Sequence, residues 1–289
     1  MTFNAYISLL FALVLLCSSA AYANVCLPKD TTIHDGCLVE SNPSFEKTLC
    51  LEDYFVNMAY LESAEKAIST AKQMQQDGKI DDCHIVAHMV GKANLIKYNY
   101  DLGRALGTCS MDCIQGCIHG AVQNYVSEKV EIANIKTELS KVCNSLDKTS
   151  LIYAQCVHGI GHGFLTNNYM SIPEAIKACQ SLGGKDSHDC LGGLFMENMQ
   201  KNLLLSEDEF KDALPMTCKA MENSEDRSLT HTCFDSIGEG IMFYTGHNLA
   251  RSLEYCALAS SSLKNIHACK QGARTEAQTV ILGHSQSHH

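Results

Sequence analysis

Histidine is the residue type in this chain whose spacing points most directly to chemistry. His84 and His88 stand four residues apart, as do His158 and His162; at the same interval His119 is followed by Gln123 and Asp235 by Glu239. Residues four apart share one face of a helix, so each pair projects two polar groups in one direction. Two imidazoles at that interval can hold one ion, which is why H-x-x-x-H recurs in transition-metal sites. His158, His162 and His119 could supply three nitrogens and leave a fourth position open, the arrangement of a catalytic zinc site. His84 and His88 could act with His119 instead, and Asp235 is the carboxylate candidate among the ligands. One ladder of helices brings all of these together only if it curls tightly, so two sites and one site with bystanders are both allowed. Glu197 and Glu239 are the candidate catalytic carboxylates, Glu197 as a general base or a ligand. Imidazole with an occasional carboxylate suits zinc first and copper or iron next, rather than calcium or magnesium. The chain contains neither H-E-x-x-H nor C-x-x-C-H, which removes the zincin protease and c-type haem readings.

The elements that must carry these groups are marked by cysteine. Segments opening at Cys83, Cys117, Cys156, Cys190, Cys233 and Cys269 succeed one another at 34, 39, 34, 43 and 36 residues, near the period of about 34 of helix-turn-helix arrays. A second series, Cys109, Cys143, Cys179, Cys218 and Cys256, interleaves with the first and closes segments of helical periodicity. Ser171 with Glu174 and Ser206 with Glu209 form capping boxes that start two of those segments. With four prolines and no alternating β-branched run, the chain is expected to be all-α, built of helical hairpins. The stretch Gly183 to Ser187 is expected to be an interhelix turn.

Each closing cysteine lies close in sequence to the next opening one. The local pairs Cys143–Cys156, Cys179–Cys190, Cys218–Cys233 and Cys256–Cys269 can meet the Cα separation of about 4.4–6.8 Å that a disulfide requires. Cys109–Cys117 fits the same rule if the helix breaks between them, with Gly116 as the candidate break. Cys50–Cys83 and Cys26–Cys37 complete the set. Cys113 is left over, as a free thiol or an alternative partner, and spacing alone does not fix the connectivity. Position three of the segments is small: Gly120, Gly159, Gly193, Ser236 and Gly272. Close helix packing is the ordinary explanation, with room for a ligand against the backbone as the other. Gly161 and Gly163 bracket His162 and mark that segment as the expected centre.

The run Ala175-Ile-Lys-Ala-Cys179, a short turn, then Cys190-Leu-Gly-Gly-Leu-Phe-Met-Glu-Asn198 resembles the cysteine-stapled Sel-one-like repeats, tetratricopeptide-type α/α solenoids. The resemblance covers roughly residues 83 to 275 as architecture. It implies a superhelix whose concave groove takes a protein or peptide partner. The histidines depart from that pattern.

Composition sets the surroundings. Twenty-two basic against thirty-two acidic residues give a net charge of −10, which argues against nucleic acid, since phosphate binding needs a cationic face. Met1 to Ala23 reads as a signal peptide with an Ala21-Tyr22-Ala23 cleavage site. Residues 24–43 are expected to be irregular, 44–280 to form the helical domain, and 281–289, with His284, His288 and His289, to be a tail. No later stretch is long and apolar enough for a membrane span. Sixteen cysteines suit an oxidising compartment, hence a secreted or periplasmic protein. Two functions follow: a metal-binding protein, with or without enzyme activity, using the ladder histidines; or a stapled scaffold that binds a protein or peptide. No C-x-x-C supports thiol redox work.

Overall fold

The computed structural model describes residues 50–80, 82–131, 135–203, 205–222 and 224–285, and they are helical with no strand among them. The signal segment, the irregular N-terminal stretch, the Cys26–Cys37 pairing, and His288 and His289 lie outside the described residues. The helices are α1 (Glu52–Leu61), α2 (Ala64–Gln76), α3 (His84–Lys97), α4 (Leu102–Gly107), α5 (Gly116–Lys129), α6 (Ile135–Val142), α7 (Leu151–Leu165), α8 (Ile172–Gln180), α9 (Gly184–Gln200), α10 (Glu207–Thr217), α11 (Arg227–Tyr244), α12 (Leu249–Cys256) and α13 (Leu263–Ser285). The last of these carries helix through residues 281–285, which the sequence assigned to a tail.

From α3 onward, the odd-numbered helices each pack on the next odd-numbered one. Their sequences explain why. Helix α7 buries Cys156, Val157, Ile160, Phe164 and Leu165 together with Gly159, Gly161 and Gly163, so it has apolar or small residues nearly all round, the pattern of a helix enclosed by neighbours. The even helices α4, α8 and α12 pack against the odd helices on either side of them and carry a single buried stripe, such as Ala175, Ile176, Ala178 and Cys179 on α8. Both capping boxes form, Glu174 and Glu209 reaching back to the backbone N–H of Ser171 and Ser206.

Glycines set the closest approaches. A Cβ built on Gly91 of α3 would lie 2.1 Å from the Cys117 carbonyl oxygen on α5, and one on Gly120 of α5 would lie 1.9 Å from the His88 oxygen. The same reciprocal contact joins α7 to α9, through Gly161 against Cys190 and Gly193 against His158. It joins α11 to α13 as well, through Gly238 against Cys269 and Gly272 against Asp235, always at 1.9–2.0 Å. Three helix pairs thus touch backbone to backbone, which bears out close packing at Gly120, Gly193 and Gly272. Gly159 is looser, with Val122 as its nearest neighbour at 3.0 Å.

The chain end also meets its beginning. Helix α13 touches the 3-10 turn Cys113–Gln115, Phe243 of α11 stacks on His84 at 5.8 Å, and His247 pairs with Asp82 at 3.5 Å.

Five of the expected disulfides are present: Cys109–Cys117, Cys143–Cys156, Cys179–Cys190, Cys218–Cys233 and Cys256–Cys269. Cys83 is a correction. Its partner is Cys113, at a Cα separation of 5.4 Å, so Cys113 is not a free thiol and Cys50, itself in a disulfide, is not bonded to Cys83. Close packing of α3 on α5 sets Cys83, at the start of α3, beside the turn that leads into α5; spacing along the chain could not show that. The break that lets Cys109 reach Cys117 is also displaced. Cys113, Ile114 and Gln115 all take left-handed backbone, with φ of 53–55°, whereas Gly116 is already helical and is needed because a Cβ there would lie 2.5 Å from the His84 carbonyl. Likewise α9 starts at Gly184, so the turn before it ends at Gly183 rather than Ser187.

Candidate metal centre

Five histidines from three helices converge. His84 and His88 come from α3, His119 from α5, and His158 and His162 from α7, with successive ring centroids 4.7–5.9 Å apart. Ring nitrogens of His84, His88 and His119 lie within 4.8 Å of one another, and so do those of His119, His158 and His162. His162 is fully buried and His119 and His84 nearly so. Two buried histidine triads that could hold a transition-metal ion therefore share His119.

Hydrogen bonds around the cluster determine which nitrogens are bare. Glu197 Oε2 lies 3.0 Å from His162 Nδ1 and 3.4 Å from Gln123 Nε2. A carboxylate only accepts, so His162 Nδ1 donates and Gln123 turns its NH2 toward Glu197 and Thr166. Gln123 Oε1 then faces His88 Nδ1 at 3.0 Å, which must be the donor. His84 Nδ1 donates to the Cys113 carbonyl at 3.0 Å, His119 Nε2 to Gln155 Oε1, and one nitrogen of His158 to the Asp189 backbone. Every ring spends its N–H on an outer oxygen, as metal-bound histidines do.

What remains faces inward. His84 Nε2 and His88 Nε2 stand 3.1 Å apart, and neither has a proton to give the other. His119 Nδ1 and His162 Nε2 are buried with no partner. Tetrahedral coordination by nitrogen at 2.0–2.1 Å separates two ligands by about 3.4 Å, close to the observed His84–His88 spacing. Burial favours the neutral form of four of the rings: it lowers the pKa of His84, and with the neighbouring histidines it holds His88, His119 and His158 well below the usual imidazole value.

A cavity of about 230 Å³ opens beside the cluster, its lining both polar, with His84, His88, Gln123, Thr166, Lys92, Asn124 and Gln200, and apolar, with Ile85, Met89, Met196, Leu203 and Phe243. Among the ligand candidates, the histidines are brought together and Asp235 is set apart. Asp235 is half-buried, with His231 and His188 nearby, and burial raises its pKa. Glu239 lies near Asp235 and Glu276, and burial with those two charges pushes its pKa well up. Glu197 does touch the cluster, but its one bonded oxygen is occupied in holding His162 and Gln123. Spacing gave no sign of Gln155, Phe243 or the Cys113 carbonyl, since each acts through a tertiary contact. No protein-family model, curated protein or solved structure matches the chain, so function rests on this geometry.

Proposed function

We propose that the protein is a metal-binding protein whose buried cluster holds a transition-metal ion, zinc by preference, on His84, His88 and His119, with a coordination position open toward the adjoining cavity. The observation that carries this reading is the polarity of the cluster: each histidine gives its N–H to an outer oxygen, and His84 Nε2 and His88 Nε2 oppose lone pairs across 3.1 Å. Two facing acceptors repel unless a cation lies between them. Imidazole donors favour zinc, copper or iron, and an ion with three protein ligands can supply an activated water or a polarised carbonyl to a molecule in the cavity. That places metal-assisted hydrolysis first among activities to screen.

The wider reading is a secreted or periplasmic protein whose helices form a curled array of hairpins. The six disulfides among the described residues and the thrice-repeated glycine contact support it. In that alignment His88, His158 and Asp235 are equivalent, because each presents its carbonyl to the partner helix's glycine; the unit is then a pair of hairpins rather than one. No helix among the described residues is long and apolar enough to cross a membrane, and none of their features favours a peptide in a groove.

Elemental analysis of protein exported to a periplasm and purified without a metal-affinity tag tests the proposal. Near-stoichiometric zinc, copper or iron that His84→Ala/His88→Ala removes is the expected result. A folded wild-type protein that neither carries metal nor binds added zinc would overturn it.

A further inference from the structure

We infer that the cluster holds two ions rather than one, the second carried by His158 and His162 beside the first on His84 and His88. The inference rests on the metal-binding reading above and deepens it. Each of the five rings has its N–H engaged outside the cluster, so each keeps one lone pair, and those of His119 Nδ1 and His162 Nε2 have no partner among the described residues. The five nitrogens form two groups that overlap only at His119, which means a single ion cannot collect them all. An ion on His84, His88 and His119 leaves His162 Nε2 fully buried and bare. An ion on His119, His158 and His162 leaves the His84 and His88 lone pairs opposed at 3.1 Å. Buried polar atoms are nearly always partnered, and an ion in each half meets that rule here.

His119 has a single free nitrogen, Nδ1, because Gln155 engages Nε2. It therefore completes one ion's set of three histidines, and the other ion keeps two histidines and at least two positions for water or substrate. The two halves adjoin, with His88 and His162 ring centroids 5.4 Å apart, so a small oxyanion could bridge the ions, the use that paired metals serve in hydrolytic sites. Glu197 supports both halves at once, His162 directly and His88 through Gln123.

The test titrates the chelator-stripped full chain, with His284, His288 and His289 changed to Ala to silence the tail, with cobalt(II). Visible absorption follows binding, and elemental analysis after desalting counts the ions. Two ions per chain are expected, falling to one in His158→Ala/His162→Ala and to one in His84→Ala/His88→Ala, with far-UV circular dichroism confirming that each variant folds. Copper(II) in the parent protein should show a spin-coupled electron paramagnetic resonance signal, a readout that needs no variant in the cluster. A count of one with an uncoupled copper signal overturns the second ion and leaves the single-ion reading standing. A count of zero overturns both, and a His158→Ala/His162→Ala variant that still held two ions would overturn the placement.

Discussion

At the scale of single residues, Glu197 has the widest influence on the cluster because it fixes two hydrogen-bond polarities at once. Its Oε2 accepts from His162 Nδ1 and orients the Gln123 amide, which in turn sets the His88 tautomer. Partners that orient a metal-bound histidine typically matter by 10–100-fold in affinity. Glu197→Ala should therefore weaken zinc binding by about that factor, measured by competition with a chromophoric chelator. Glu197→Gln, whose Oε1 can still accept from His162, should lose less; equal losses in the two variants would remove the polarity argument. Titration gives a second expectation with opposing parts. The histidines lowered by burial are neutral in the fold and take up protons on unfolding below about pH 6.5, so metal-free protein loses stability as the pH falls through that range. Glu276, buried beside Asp82 and raised to about 7, has the opposite sign: the fold keeps a proton that the unfolded chain has released above its ordinary value of 4.5, so stability is lost as the pH rises from 4.5 through 7. Glu276→Gln removes that loss. It should raise the stability of metal-free protein at pH 8 by up to about 3 kcal/mol and change little at pH 4, as thermal melts at the two values would show.

At the scale of elements, the glycine pairs decide how closely the histidine helices approach. Gly193→Ala would put a Cβ 2.0 Å from the His158 carbonyl oxygen and 3.1 Å from the His162 ring, and backbone cannot give way as the end of a side chain can. Overpacking of this kind costs about 1–3 kcal/mol, against a gain of about 1 kcal/mol in helix propensity. The expected result is a lower melting temperature together with weaker metal binding, since α7 must shift away from α9. Gly159→Ala, whose nearest neighbour is the Val122 Cβ at 3.0 Å, should be milder in both. Much of this level was legible in the sequence, because helix starts, capping boxes and small positions are local signals. Ser171, Ser206, Gly120, Gly193 and Gly272 all do what their spacing implies. The companion glycines Gly91, Gly161 and Gly238 are not evident as a set from spacing. Aligning Cys83 with the other opening cysteines puts the first segment out of register, since Val86 rather than Cys83 occupies the place of Cys156 two residues before the carbonyl that meets a glycine.

At the scale of the whole molecule, legibility fails where distant segments meet. Nothing in the spacing of His84, Phe243, His247 and Asp82 announces that α11 closes onto the start of α3, and the spacing of Cys83 does not announce that the turn before α5 brings Cys113 to it. The Cys83–Cys113 disulfide, which follows from the packing of α3 on the turn before α5, is different in kind from the other staples. It spans 30 residues, where Cys256–Cys269 spans 13, yet loop entropy grows only as the logarithm of length, so the chain-entropy model assigns each about 3–4 kcal/mol. Their stabilities should be nearly equal while their functional effects diverge. Cys113 begins the left-handed run that precedes α5, and its carbonyl receives the His84 Nδ1 proton; the disulfide ties that carbonyl to the residue next to His84. Cys83→Ser/Cys113→Ser should therefore lower both the melting temperature and the metal affinity. Cys256→Ser/Cys269→Ser, on helices that contribute no histidine to the cluster, should lower the melting temperature alone. Measuring unfolding and zinc competition on both variants separates the two effects. If both variants bound zinc as the wild type does, the Cys113 carbonyl would not be what holds His84 in place.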